Sequence, residues 1–170
     1  MRLLLFRHAK SSRPSELADH HRPLSKKGRK ASKRMGRYMA DKALIPDEAI
    51  VSTASRTQET WYLARSRMQH KVIARSESRA YDASLKSLLE IVRETSLSVQ
   101  TLMVVGHNPG LWELSLKLCD GTKSGPHSRL ERKMPTASLA IIDFEGENWS
   151  TLEVGTGKLR AFATPGFLDS

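Results

Sequence analysis

The chain opens on four apolar side chains in a row, Leu3-Leu4-Leu5-Phe6, and the run stops at Arg7-His8. Apolar residues without alternation describe a strand covered on both faces, as in a parallel sheet between helix layers. Ala49-Ile50-Val51-Ser52 and Lys71-Val72-Ile73-Ala74 predict a second and a third strand. Thr101-Leu102-Met103-Val104-Val105 is the clearest strand of all. Between these runs the period changes to that of helices. Ala31, Met35, Tyr38 and Met39 recur at helical spacing behind Ser25, a residue suited to an N-cap. Thr57, Trp61, Ala64 and Met68 form a second apolar face, and Leu85, Leu88, Leu89 and Val92 a third, behind Ser84. Asn108-Pro109 predicts a fourth helix carrying Leu111, Leu114 and Leu118, with Asn as cap and Pro at the first helical position. Asp120-Gly121 should close it. Residues 138–144 read as a strand, 145–148 as a turn and 149–154 as its partner, a late hairpin. Residues 123–133 have little apolar content and read as a mobile loop. Strand–helix alternation ending in a hairpin predicts a three-layer α/β/α sandwich, its sheet mostly parallel with an antiparallel edge strand. No repeat or linker interrupts it, so residues 1–170 are expected to form one domain.

Composition narrows this picture without changing it. With 170 residues, 39% hydrophobic and 27% charged, the chain suits one domain with a substantial core. No apolar run reaches the length of a signal-peptide core or a membrane span, so a cytoplasmic protein without a membrane partner is expected. Cys119 is the only cysteine, which excludes an internal disulfide and a cysteine-based metal site. The net charge of +10 is concentrated in Lys26-Lys27-Gly28-Arg29-Lys30, Lys33-Arg34 and Arg37, on the outer face of the first predicted helix. A solvated face is the simplest reading. The functional one is attraction of an acidic partner, such as a phosphoprotein or a nucleic acid. Nucleic acid is disfavoured, because no aromatic residues interleave with the basic ones.

Three strand ends carry candidate chemistry. Arg7 and His8 follow the first strand, Arg56 lies where the second gives way to its helix, and His107 follows the strongest strand within Gly106-His107-Asn108-Pro109-Gly110. In parallel sheets ligands gather outside the carboxyl ends of the strands, so these residues would share one rim. Two of the ends adjoin helix N-termini, whose free N–H groups suit a phosphate dianion. Arginine forks match phosphoryl oxygens, and an imidazole near its unperturbed pKa of about 6.5 has a usable neutral fraction as a nucleophile. Singly, each residue is accounted for as a surface or capping group. Their convergence at three strand ends is what points to a site.

The ordered set of motifs resembles the histidine phosphatase superfamily, with its phosphoglycerate mutase-like fold. It consists of Arg-His after the first strand, then Ser-x-Ala-x-Arg-Thr from Ser52, then Gly-His-Asn-Pro-Gly from Gly106. The strings Arg7-His8-Ala9-Lys10-Ser11-Ser12, Arg22-Pro23-Leu24 and Tyr81-Asp82-Ala83-Ser84 resemble the SixA-type phosphohistidine phosphatases. The likeness covers residues 1–144. Many members have Gly after the Arg-His pair, whereas this chain has Ala9, small enough for little consequence. The resemblance implies that His8 attacks phosphorus and water then releases phosphate. Arg7 and Arg56 would bind the transferred oxygens, and His107, protonated or donating from one nitrogen, would complete the cage. It implies no metal and no other cofactor. Arg22 could extend the basic pocket, with Ser11 and Ser12 adding hydroxyl donors. A general acid for the leaving group is expected in the stretch holding Glu77 and Asp82, though neither lies in a motif that fixes its role. His20, His21, His70 and His127 read as surface histidines. The expected partner is a protein bearing phosphohistidine or a small phosphorylated substrate. A phosphomonoesterase of the same superfamily and a non-catalytic basic protein that binds phosphate or nucleic acid remain alternatives. A mutase is disfavoured, since the chain lacks the length to enclose a small sugar phosphate.

Overall fold

Six strands form one sheet in the order β3-β2-β4-β1-β5-β6 in the computed structural model, which describes residues 1–169. Here β1 is Arg2–Arg7, β2 Glu48–Ser52, β3 Ile73–Glu77, β4 Thr101–Gly106, β5 Leu139–Asp143 and β6 Lys158–Ala163. The first four strands are mutually parallel, and β5 runs antiparallel to both β1 and β6. The apolar runs sort by parity, as pleating requires. Leu3 and Leu5 face one core with Leu102 and Val104, while Leu4 and Phe6 face the other with Met103 and Val105. All eight side chains are fully buried, which accounts for the absence of alternation in the sequence.

Two helices, α1 (Lys26–Asp41) and α2 (Ser55–Arg65), cover one face through Met35, Met39, Trp61 and Ala64. The other face is covered by α3 (Leu85–Arg93), α4 (Gly110–Leu118) and α5 (Gly125–Arg132). Ser25 and Ser84 cap α1 and α3 as expected, accepting hydrogen bonds from the amides of Gly28 and Ser87. Gly28 lies so close to the Lys10 carbonyl that any Cβ would overlap it, which seats the first turn of α1 directly on the loop leaving β1. After β1 the chain crosses to one face, and after the adjacent β4 it goes to the opposite face. The carboxyl ends of β1 and β4 therefore flank a topological switch point, the place where such sheets open a crevice. Among the described residues no helix is long and apolar enough to cross a membrane.

Four local expectations are corrected. The strand paired with β5 is β6, at Lys158–Ala163, and not residues 149–154. Trp149 and Leu152 are apolar because they plug the core beside α3; the Trp149 indole donates to the Val99 carbonyl at 2.7 Å. Residues 123–133 hold the helix α5 rather than a mobile loop, capped by Ser124 and anchored by the fully buried Leu130. Helix α4 begins at Gly110, with Pro109 before it after a cis peptide bond. The Asn108 amide, expected to cap that helix, donates instead to the Met134 carbonyl. The third strand lies two residues later than expected, and its edge position leaves Ile73 exposed.

Candidate active site

Registers place the strand ends together: Arg7 pairs with Gly106, and Val51, next to Ser52, with Val105. His8 follows β1 directly and is nearly enclosed. Its Nδ1 lies 2.8 Å from the Ala9 carbonyl, an atom that only accepts, so Nδ1 carries the proton and Nε2 the lone pair. Burial, followed by the positive charges of Arg56, Arg7 and Arg22, lowers its pKa to about 4. The imidazole is thus wholly neutral at pH 7, more so than the unperturbed value suggested. Ala9, in the place of the frequent Gly, has no left-handed backbone and carries no strain. Its amide donates to Thr60 Oγ1, which in turn donates to the Arg56 carbonyl, fixing the β1 loop to α2.

His107 follows β4, its ring centroid 5.1 Å from that of His8. Its Nε2 is 2.7 Å from the Ser52 hydroxyl, while its buried Nδ1 has no partner. Burial, then repulsion from His8 and Arg56, lowers its pKa to about 3. Of the two states considered for His107, the neutral ring that donates from one nitrogen fits this environment. Arg7 donates from Nη1 to the Met134 carbonyl at 2.7 Å, and its enclosed Nε has no partner. Arg56, in the first turn of α2, is 7% exposed.

A residue that the sequence did not single out organises the arginines. Asp19 accepts from Arg22 Nη1 at 2.7 Å, from Arg56 Nη2 at 2.9 Å and from the Tyr81 hydroxyl at 2.7 Å. Its backbone carbonyl accepts from Arg56 Nη1. Tyr81, Arg22 and Arg56 hold the Asp19 carboxyl well below the usual carboxylate range. A carboxylate thus sits on two of the forks expected to bind phosphate. Tyr81 also stands edge-on to His107 and to His20, so His20, expected at the surface, is half-buried against Tyr81. His127 is buried, within α5, whereas His21 and His70 are exposed. The string Tyr81-Asp82-Ala83-Ser84 was the only sequence signal for Tyr81; none marked Asp19, in a loop without periodicity.

A cleft of about 970 Å³ opens from His8. Arg7, Arg22, Arg56 and Ser11 line it, together with Lys10, Arg13, Lys27 and Lys133. No carboxylate is among its lining residues. Ser12 turns away to the Pro23 carbonyl. His107 lies behind His8 and not on the wall of the cleft. Neither expected general acid lines the cleft either. Glu77 is buried under Arg79 and Arg75, which lower its pKa to about 2 and keep it ionised. Asp82 is exposed at a left-handed turn position.

No family model matches the chain. The uncharacterized protein Rv1276c of Mycobacterium tuberculosis is 32% identical to it over 161 residues, spanning 94% of this chain and 99% of that protein. A solved structure assigned as the phosphohistidine phosphatase SixA of Agrobacterium tumefaciens matches with a TM-score of 0.80 and 25% identity, covering 96% of this chain and 97% of that one. Another assigned to SixA, from Nakamurella multipartitia, matches with a TM-score of 0.82 and 24% identity, covering 96% and 95%.

Proposed function

This chain belongs to the histidine phosphatase superfamily, alongside its SixA-type members, and we propose that it is a metal-independent phosphatase acting through His8 on phosphohistidine in a protein. The observation that carries this reading is the state of His8: Nδ1–H is committed to the Ala9 carbonyl, and a neutral Nε2 lone pair is left at the head of a cationic cleft. In the first step Nε2 forms a bond to phosphorus while the bond from phosphorus to the leaving nitrogen breaks. The leaving imidazole takes a proton from solvent. In the second step water attacks the phosphorylated His8, phosphate departs, and the ring returns to its neutral form. Arg7, Arg56 and Arg22 balance the charge on the transferred oxygens, as positioning and electrostatics dominate in phosphoryl transfer. His107 backs the His8 ring, with the two ring centroids 5.1 Å apart and its Nε2 paired with the Ser52 hydroxyl, and so helps to hold His8 in place.

The substrate assignment rests on the leaving group. An imidazole leaves a P–N bond with little help, whereas an alkoxide depends on a positioned acid. The cleft has no carboxyl group on its wall, and the two nearby carboxylates, Asp19 on Arg22 and Arg56 and Glu77 under Arg79 and Arg75, are both held ionised. Phosphohistidine peptides should therefore show the highest kcat/KM, activated aryl phosphates a lower one and alkyl phosphates the lowest. The test is rapid quenching in alkali with a labelled phosphohistidine peptide, carried out in the presence of a chelator. An acid-labile phosphate should accumulate on His8, and His8→Ala should lose both label and turnover. Turnover that survives His8→Ala, or that the chelator abolishes and a metal restores, overturns the mechanism.

A further inference from the structure

The basic face of α1 has no role in the chemistry above, yet it is continuous with the cleft. Lys27 and Ala31, one helical turn apart, line the cleft. At 3.6 residues per turn, Lys26, Lys27, Lys30, Lys33 and Arg37 fall within an arc of about 120° that begins at Lys27. All five are exposed, and among the described residues none has a side-chain hydrogen bond or ion pair. The acidic residues of α1 amount to Asp41 at its last position. The stripe runs roughly 16 Å along the helix from Lys26 to Arg37. At its cleft end it meets Lys10, Arg13 and Lys133, which also line the cleft and have no ion partner among the described residues. This arrangement holds far more positive charge than one phosphoryl group requires, and it extends beyond the reach of any small molecule seated on His8.

We propose that the α1 stripe is the docking surface for an acidic face of the protein whose phosphorylated side chain enters the cleft. The proposal rests on the phosphatase reading of His8 and adds to it where the macromolecule lies. Charge complementarity concentrates such a partner and orients it with the phosphorylated side chain toward Lys27 and the His8 end of the cleft. A protein fits better than a nucleic acid. The stripe presents no base-stacking platform, since the one aromatic residue of α1, Tyr38, is half-buried against the core.

The test uses two phosphohistidine peptides that differ only in a flanking run of Glu against Gln, with p-nitrophenyl phosphate as a substrate too small to reach the stripe. At low salt the Glu peptide should exceed the Gln peptide in kcat/KM by about tenfold, chiefly through KM. Lys30→Gln, Lys33→Gln and Arg37→Gln combined, all exposed positions that keep a good helix former, should bring the two peptides together. Turnover of p-nitrophenyl phosphate should not change. Roughly 0.5 M salt should have the same levelling effect. Equal peptides in the unaltered protein, or a Glu advantage that survives the triple substitution, overturn the docking surface while leaving the phosphatase intact. So does a single-stranded oligonucleotide that binds through these three residues while the peptides turn over alike. No turnover of any of the three substrates by the unaltered protein would remove the phosphatase reading and the docking with it.

Discussion

The proton on Nδ1 of His8 is held by the Ala9 carbonyl, and two of the neighbouring arginines, Arg22 and Arg56, are held by Asp19. These two contacts have opposite consequences for an incoming dianion. The first prepares the nucleophile without a separate base. The second places a negative charge where the phosphoryl oxygens must come, and the low pKa of Asp19 keeps that charge in place at any pH of interest. Arg56 uses only two of its five donor hydrogens on Asp19, so it can bind both groups, but the carboxylate must still repel the phosphate. Asp19→Asn removes the charge and keeps one of the two side-chain acceptors, either the oxygen facing Arg22 or the one shared by Arg56 and Tyr81. Because Asp19 is half-exposed the gain is screened, and inhibition by inorganic phosphate should tighten by about threefold to tenfold. Competition against an aryl phosphate measures it. Weaker phosphate binding would mean instead that the Asp19 charge is needed to hold Arg56 in place. Arg7, His8, Arg56 and His107 were legible in the sequence because each closes a strand or opens a helix, where the neighbours fix the backbone. Asp19 was not, because a loop reveals its contacts only when the chain is folded.

At the scale of elements, legibility followed burial on two faces. The strands β1, β2, β4 and β5 announce themselves as apolar runs because helices cover both of their sides. The edge strand β6, Lys-Leu-Arg-Ala-Phe-Ala, is charged on its outer side, and the more apolar segment around Trp149 took its place in the sequence reading. Helix α5 escaped because Leu130 is its one fully buried side chain. Its importance to the site is greater than its apolar content suggests. The Leu130 carbonyl accepts from the Trp112 indole, and Met134, just beyond α5, offers its carbonyl to both Arg7 and Asn108. Removing the Leu130 side chain opens a cavity under this segment, so Leu130→Ala should cost about 2–5 kcal/mol in urea unfolding. It should also raise KM for an aryl phosphate, because the Arg7 anchor loosens. A destabilised protein with unchanged KM would separate α5 from the positioning of Arg7.

Taken over the whole molecule, the fold keeps two imidazoles neutral in a protein of net charge +10, and this sets how stability responds to acid. In the unfolded chain His8 and His107 titrate near pH 6.5; folded, they resist protonation down to about 4 and about 3. Between those limits the unfolded state binds protons that the folded state refuses, so falling pH favours unfolding. Their contribution is complete above about pH 6.5, declines as the pH falls through the His8 value, and is constant below both folded values. A displacement the size of that of His8 corresponds to about 3 kcal/mol. The two are not additive, since part of the His107 shift is repulsion from His8. Glu77, whose folded pKa is about 2, loses its contribution in a separate and lower window, below the ordinary carboxylate value. Urea midpoints followed from about pH 7 to pH 4 should therefore begin to fall above the range in which carboxylates titrate. Replacing His8 and His107 together by Asn should flatten that upper part of the curve and leave the lower fall in place. A double variant that declines as steeply as the unaltered protein across the upper window would show that the imidazoles titrate alike in the folded and the unfolded chain. His8 would then have only the neutral fraction of an ordinary imidazole at pH 7.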